Sequence, residues 1–293
     1  MITPSSFSTA GGSLCPACTG NAAPAADAGA FTLYACANCG SWSSDALVRG
    51  ATTSFTPSGY FDHASADRPR WRDLLARTGS ARRTLLDVGC GTGAFLSFAR
   101  TQLPASSLAG IELDAERAKL ARQANPDATI HVGDAAVVSE SLSGAFDLIT
   151  LWDVLEHVPE PGRLIRALAA RLAPGGLLFV QTIHEASLLP RLGRLSYSLT
   201  GGRFKAGIRR THDAHHLVFF TQAGLGQLAA SGGLAVQSTW FDRLALARMD
   251  GSPLLTWPAA ALMRVENAWG NGLFVNALLA RPAANAAASR APG

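Results

Sequence analysis

The chain is 293 residues long, 48% apolar and 16% charged, with 25 Lys and Arg against 21 Asp and Glu and a formal net charge of +4. That length can bury one sizeable core and leave room for a small second module. No apolar run approaches the ~20 residues of a bilayer span and no charged n-region precedes a long apolar core, so a cytoplasmic chain is expected. The positive charge is nearly all arginine, with Lys119 and Lys205 the only lysines, and forms no run that would by itself argue for a nucleic-acid partner.

The first module, residues 1–45, carries Cys15-Pro16-Ala17-Cys18 and Cys36-Ala37-Asn38-Cys39-Gly40. Two C-x2-C turns at this separation present four thiolates, the ligand set of a tetrahedral zinc site. Phe31-Thr32-Leu33-Tyr34 supplies a short strand leading into the second pair, as in a zinc ribbon. Two disulfides, or four unrelated thiols, are the competing readings, and a reducing compartment disfavours disulfides. Four thiolates close the shell, so the metal is read as structural, and a segment this short needs it to fold. The ribbon serves either as a capping or dimer-contact module, the latter making a homodimer, or as a lid that recruits substrate.

Residues 46–58 read as a linker rich in Ser, Thr, Ala and Gly. Gly59-Tyr60-Phe61 then precedes a helical pattern carrying Trp71, Leu74 and Leu75. Leu85-Leu86-Asp87-Val88-Gly89-Cys90-Gly91-Thr92-Gly93-Ala94-Phe95-Leu96 reads as a buried strand, a glycine turn and a new helix to about Gln102. Gly89, Gly91 and Gly93 leave no Cβ where a ligand must touch the backbone, and the helix aims unpaired N–H groups at an anionic group. Leu108 to Ile111 is a second strand ending in Glu112, close to the ~20-residue offset at which an acid meets a ribose diol. Asp114 begins a polar helix to about Ala124. Ile130-His131-Val132-Gly133-Asp134 is a third strand, whose aspartate suits an adenine amino group, and Phe146 to Asp153 is a fourth, followed by Val154-Leu155-Glu156-His157-Val158-Pro159. Pro161 opens a helix with Leu164, Ile165, Leu168 and Leu172 as one apolar stripe, and Thr221 caps another that ends before Gly232-Gly233. Strands each ending in polar residues are what an open parallel α/β sheet needs, because ligands bind outside the carboxyl ends.

This order of motifs resembles the class I S-adenosylmethionine-dependent methyltransferases from roughly Tyr60 to Pro282. The resemblance implies a doubly wound, Rossmann-like, seven-stranded sheet over 59–282, with Leu172 to Val180 as the turn into the fifth strand, and Leu234 to Trp240 and Leu273 to Ala280 closing it, the last as an antiparallel edge. It implies S-adenosylmethionine contacts from Tyr60, Asp87, Gly89, Cys90, Gly91, Gly93, Glu112, Leu113, Asp134, Ala135, Trp152, Asp153 and His157, the last orienting its loop. A dinucleotide dehydrogenase shares the strand, turn and distal acid. The turn here is G-x-G-x-G rather than G-x-G-x-x-G, and Asp87 suits a cationic ligand bearing an ammonium better than phosphates.

The resemblance places an acceptor-binding insertion at about 184–220, where His184, His212, His215 and His216 occur with Arg191, Arg194, Arg203, Lys205, Arg209 and Arg210. His216 matches the family position best and is expected to act as general base, with His215 or His212 as substitutes. The expected reaction is methyl transfer to oxygen, nitrogen or carbon of a small-molecule acceptor of the specialised-metabolite or sugar type. RNA methylation, as in zinc-bearing ribosomal RNA methyltransferases, and a non-catalytic binding protein on the same fold are the alternatives. Residues 283–293 are expected to be a flexible tail.

Overall fold

The computed structural model describes residues 13–46, 66–79, 82–244 and 253–282. Of the expected linker only its first residue, Ala46, is described, and it is buried; residues 47–58, Tyr60, Phe61 and the tail from 283 lie outside the described residues.

Chain order begins with four short strands, β1 Ser13–Leu14, β2 Asn21–Asp27, β3 Thr32–Cys36 and β4 Trp42–Ser44, paired antiparallel in sequence. Pro24 in β2 sits beside a register shift between Pro24 and Ala26, where a missing N–H is tolerated. The second module alternates α1 Arg68–Thr78, β5 Thr84–Val88, α2 Ala94–Gln102, β6 Ser107–Glu112, α3 Ala115–Ala124, β7 Thr129–Val132, α4 Ala135–Ser141, β8 Phe146–Trp152, a 3-10 turn Leu155–His157, α5 Pro161–Ala170 and β9 Leu172–Ile183. After β9 come α6 Leu188–Leu199, α7 Ala206–Thr211, β10 Val218–Phe219, α8 Gln222–Ser231, β11 Ala235–Asp242, α9 Pro253–Ala268 and β12 Phe274–Ala280.

Seven of these strands form one sheet in the order β11-β12-β9-β8-β5-β6-β7. The central strands are covered by helices on both faces, which is why Leu85, Leu86 and Val88, and then Leu148, Ile149 and Leu151, are apolar without alternation. Caps start the helices where the sequence suggests. Asp114 accepts from the Arg117 N–H at 2.9 Å and Thr221 from the Gly224 N–H at 3.0 Å. Asp147 lies at the far end of β8 from the polar termini and accepts from the Arg83 and Thr84 N–H groups at 2.8 and 3.0 Å, which registers β8 against β5.

Two expectations are corrected. The stripe on α5 stops at Leu168, because the helix ends at Ala170 and Leu172 already heads β9. The last strand is antiparallel but not an edge: β12 lies between β9 and β11, and all seven of its residues are buried. Its unbroken run Phe274-Val275-Asn276-Ala277-Leu278-Leu279-Ala280, with Asn276 bonded to Gln181 Nε2 at 2.8 Å, is the composition of an interior strand.

The two modules share a sheet. β4 pairs antiparallel with β10, so a strand from the second module completes the ribbon. Ser44 N donates to Leu217 O at 2.9 Å and Thr221 Oγ1 to Cys39 O at 2.6 Å. Lys205 pairs with Asp27, and Arg209 Nε donates to Ala28 O. At the centre of this junction Glu185, 1% exposed, pairs with both His212 Nε2, at 2.9 Å, and the Arg194 guanidinium, which lies over the Trp42 ring. Glu185→Ala strands a buried imidazole and a partly buried guanidinium, and is expected to destabilise the fold by roughly 3–5 kcal/mol, read as a lowered denaturant midpoint.

Candidate functional site

The site lies at the carboxyl ends of β5, β6, β7 and β8. There Gly89, Gly91 and Gly93 all take positive φ, at 71°, 55° and 83°. Two of them are also pressed by neighbours. A Cβ on Gly89 would meet Val154 Cγ2 at 2.5 Å, and one on Gly93 would meet Asn125 Nδ2 at 2.4 Å. The loop is held by β6: the N–H groups of Gly89 and Cys90 donate to Ile111 O at 2.7 and 3.0 Å. Asn125, at the end of α3, donates to Gly93 O at 3.1 Å and so fixes the first residue of the turn into α2. No side chain caps α2 and no acid occupies its first turn, which leaves the positive end of that helix for a ligand.

Two buried acids flank the loop. Glu112, 5% exposed, accepts from the Gly91 N–H at 2.8 Å through Oε2 and from the Asp114 N–H at 3.0 Å through Oε1. Asp87 accepts from Thr150 Oγ1 at 2.7 Å. Burial raises the Asp87 carboxyl to about 7, with Glu112 adding to the rise. Asp134 uses Oδ1 to cap α4, accepting from Ala136 N and Val137 N at 3.0 Å each. Leu113 stands 54% exposed beside Glu112, and Ala135 follows Asp134 at the head of α4. Cys90 contributes its backbone and packing, because burial pushes its thiol well above the ordinary range and keeps it neutral.

At the end of β8, Trp152 packs between Phe95 and Phe179, ring centroids 5.4 and 4.5 Å away, and its buried Nε1 has no hydrogen-bond partner among the described residues. Asp153 takes φ 53°, a strained conformation for a residue with a Cβ. The 3-10 turn that follows brings Glu156 and His157 against the segment 212–217. His157 Nδ1 lies 2.9 Å from His215 O, and Leu217 N donates to Glu156 O at 2.8 Å. Asp213 Oδ1 accepts from the His215 and His216 N–H groups at 2.8 and 3.2 Å, turning the chain so that His216 meets His157. Burial holds the His157 pKa down and takes His216 to about 4, so both rings are neutral near pH 7.

His212 is corrected as a substitute base. It is fully buried, with Nε2 on Glu185 and Nδ1 2.9 Å from Thr211 Oγ1, and its ring faces Trp42 of the ribbon. The cationic face expected of the insertion is partly spent on the same junction, since Arg194, Lys205 and Arg209 all bind groups there. Glu156 and Asn125 were not singled out by motif. The signal for Glu156 was an acid set beside a histidine just past an apolar strand. Asn125 had none, because its partner Gly93 is distant in sequence.

In the ribbon, the ligand atoms of Cys15, Cys18, Cys36 and Cys39 gather within 4.8 Å of one another. Cys15 Sγ lies 3.7 Å from Cys39 Sγ and Cys18 Sγ 3.5 Å from Cys36 Sγ, too far for disulfides. These separations approach the edge of a tetrahedron with ~2.3 Å zinc–sulfur bonds. Asn38 Nδ2 donates to Cys18 Sγ at 3.5 Å and helps hold that thiol down to about 7.

The sequence model of a methyltransferase domain family matches residues 63–239. A ubiquinone biosynthesis O-methyltransferase of Bordetella avium (strain 197N) is 34% identical over 173 residues, 57% of this chain and 68% of the relative. The corresponding protein of Pseudomonas paraeruginosa (strain DSM 24068 / PA7) is 33% identical over 176 residues, 58% of this chain and 71% of that one. A SAM-dependent methyltransferase from Archaeoglobus fulgidus superposes with a TM-score of 0.52 at 14% identity, covering 76% of this chain and 99% of the other, a likeness of fold alone. The glycine loop, its two acids and the sheet order define a class I cofactor domain. The chain belongs to this methyltransferase family and is a SAM-dependent methyltransferase. Among the described residues no helix is long and apolar enough to cross a membrane.

Asp87 gives the site a pH signature before any ligand binds. Its carboxyl ionises near 3.8 in an unfolded chain and near 7 in the fold, so it stabilises the folded state below about pH 4 and loses that contribution as pH rises through 7. The expected difference between wild type and Asp87→Asn in unfolding free energy changes across pH 4–7 by up to roughly 4 kcal/mol, at about 1.4 kcal/mol per pKa unit. Denaturant unfolding of both proteins at several pH values measures it, and parallel pH profiles would refute it.

Proposed function

We propose that the protein transfers the methyl group of S-adenosylmethionine to a hydroxyl oxygen of a small biosynthetic metabolite, held between the ends of β8 and β9 and the 184–220 insertion. The observation that carries this reading is the 34% identity to an O-methyltransferase over 68% of that relative's length. The chemistry agrees with it. Asp87 offers a carboxylate to the cofactor's ammonium, Glu112 faces the ribose, and Asp134 with Leu113 and Ala135 borders the adenine. Trp152, Asp153 and His157 flank the methionine end, and Tyr60 belongs to the segment leading to α1. In the transfer the acceptor oxygen attacks the methyl carbon, the C–O bond forms, the C–S bond breaks, and its electron pair returns to sulfur. The donor is already activated, so the protein's work is alignment and disposal of the hydroxyl proton. That disposal falls to the cluster of Glu156, His157 and His216, which adjoins the cofactor loop through Val154 and Gly89. A cytoplasmic enzyme acting on a small molecule, rather than on RNA, suits an insertion whose cations largely serve the ribbon junction.

The test is a mass-spectrometric screen of hydroxylated metabolites for a gain of one methylene, with calorimetry of S-adenosylhomocysteine. Methylation at oxygen is expected, and Glu112→Ala should weaken the product complex at least tenfold by releasing Gly91 from its acceptor. Methylation confined to nitrogen or carbon, or an unchanged affinity in the variant, would count against the assignment.

The four cysteines are read as a structural zinc site, a role supported by their closed geometry and by the small apolar area of the ribbon. Elemental analysis is expected to find about one zinc per chain by the four-thiolate argument. Because β4 pairs with β10, chelating that zinc should speed hydrogen exchange at Val218 and Phe219 as well as in 13–46. A protein that holds no zinc, or whose exchange is indifferent to chelation, contradicts this.

A further inference from the structure

On the side of β9 away from β8 and the cofactor loop, a cavity of about 680 Å3 lies over β12 and β11. That volume is typical of a small-molecule site. Leu225, Val236, Phe241 and Ala277 give it an apolar floor, while α6, the start of α8 and the turn before β12 give it a polar rim. The rim offers positive charge and donors. Arg191 of α6 is exposed and makes no ion pair among the described residues, and no Asp or Glu lines the cavity. Glu266 of α9 feels the Arg191 charge, but its Oε1 is taken by Leu188 N and Asn271 Nδ2 at 2.7 and 2.9 Å. At the head of α8, Thr221 Oγ1 accepts from the Gly224 N–H, while the Gln222 and Ala223 N–H groups have no acceptor among the described residues. Free N–H groups at a helix start favour an anion.

His184 completes the rim. It is 5% exposed, lines the cavity and has the Phe241 ring 4.9 Å away. Its Nδ1 lies 3.3 Å from Gly272 O, and the Asn271 side chain adjoins the ring as a second acceptor, its buried Oδ1 making no hydrogen bond among the described residues. An imidazole set between two acceptors is placed to carry two protons. Burial, with the Arg191 charge adding to it, instead takes its pKa down to about 4, so the ring is neutral near pH 7. An anion between Arg191 and His184 would answer both conditions, pairing the guanidinium and favouring the imidazolium.

We propose that this cavity is a second ligand site, for an organic carboxylate with an apolar body. The carboxylate sits between Arg191, His184 and the start of α8, and the body rests on Leu225, Val236 and Phe241. Binding is accompanied by proton uptake at His184. No other group in the cavity can change charge near neutral pH: α8, β11 and β12 bring no charged side chain to it, and Arg191 stays cationic. Glu185, next in the chain, is committed to His212 and Arg194. Because Arg191 stands on α6 and Thr221 at the joint with the ribbon, the bound carboxylate ties the insertion to α8. Neither the cofactor nor the methylated atom enters this argument.

The probe is 2-naphthoate, titrated into the full chain by calorimetry in buffers of unlike ionisation enthalpy. One naphthoate per chain is expected, bound roughly threefold tighter or more at about pH 6 than at about pH 8, with proton uptake on binding. Arg191→Gln removes the cation from an exposed helix face, and Val236→Glu sets a like charge on the floor. Each should weaken binding about tenfold or more while the unfolding temperature and S-adenosylhomocysteine affinity hold. His184→Gln should bind without the pH dependence. Absence of saturable binding, or binding that survives both Arg191→Gln and Val236→Glu, overturns the site. Inorganic phosphate bound as tightly as naphthoate overturns the apolar body, and a pH dependence kept in His184→Gln overturns the proton uptake. The titration uses neither cofactor nor methyl acceptor, so its failure leaves the O-methylation reading standing.

Discussion

Where a parallel sheet ends, the last backbone groups of its strands have no ladder partners, and most of the site is a set of answers to that constraint. Ile111 O, at the end of β6, takes the N–H groups of Gly89 and Cys90, which bends the chain after β5 into a loop. Glu112 then reaches under the loop to the Gly91 N–H and forward to the Asp114 N–H. One carboxylate thereby joins β6, the cofactor loop and the start of α3, and its burial beside Asp87 raises the cost of ionising the latter. Glu112 is thus the scaffold of the loop, held by backbone groups the fold must satisfy anyway.

The same logic explains the ribbon's attachment. A ribbon of short strands leaves an open edge at β4, and the insertion after β9 must return to the sheet before α8. Pairing β4 with β10 answers both needs with two residues, Val218 and Phe219. The buried group of Glu185, His212 and Arg194 then fills the space between them. An apolar cluster of similar volume would serve stability equally well. The charged one fixes direction, because the guanidinium must reach Trp42 and the imidazole must reach Glu185 at once.

The sequence made the cofactor half legible because its signals are local. Glycines at alternate positions, an acid at the end of the next strand, and Asp114 and Thr221 before their helices each act within a few residues, and the structure keeps them all. The four cysteines were legible for the same reason. The acceptor half was not, since its chemistry depends on contacts between distant segments: His212 and His216 are four residues apart, and nothing local tells which turns to the ribbon and which to His157. Placing β12 as an edge failed on a related point, because only strand order, a long-range property, distinguishes an interior from an outer strand.

The position of His216 ties these halves together. It stands two residues before β10, so the ribbon sets its place along the chain, while Asp213 turns its backbone and His157, docked on His215 O, meets its ring. Three elements far apart in sequence therefore define one imidazole: the cysteine ribbon through β4, the turn after β8, and the insertion itself. A ribbon that lost its fold would release β10 first and His216 with it, leaving the glycine loop and Glu112 intact on β5 and β6. The glycine loop is in this way held by the parallel sheet, and His216 by the joint between sheet and ribbon.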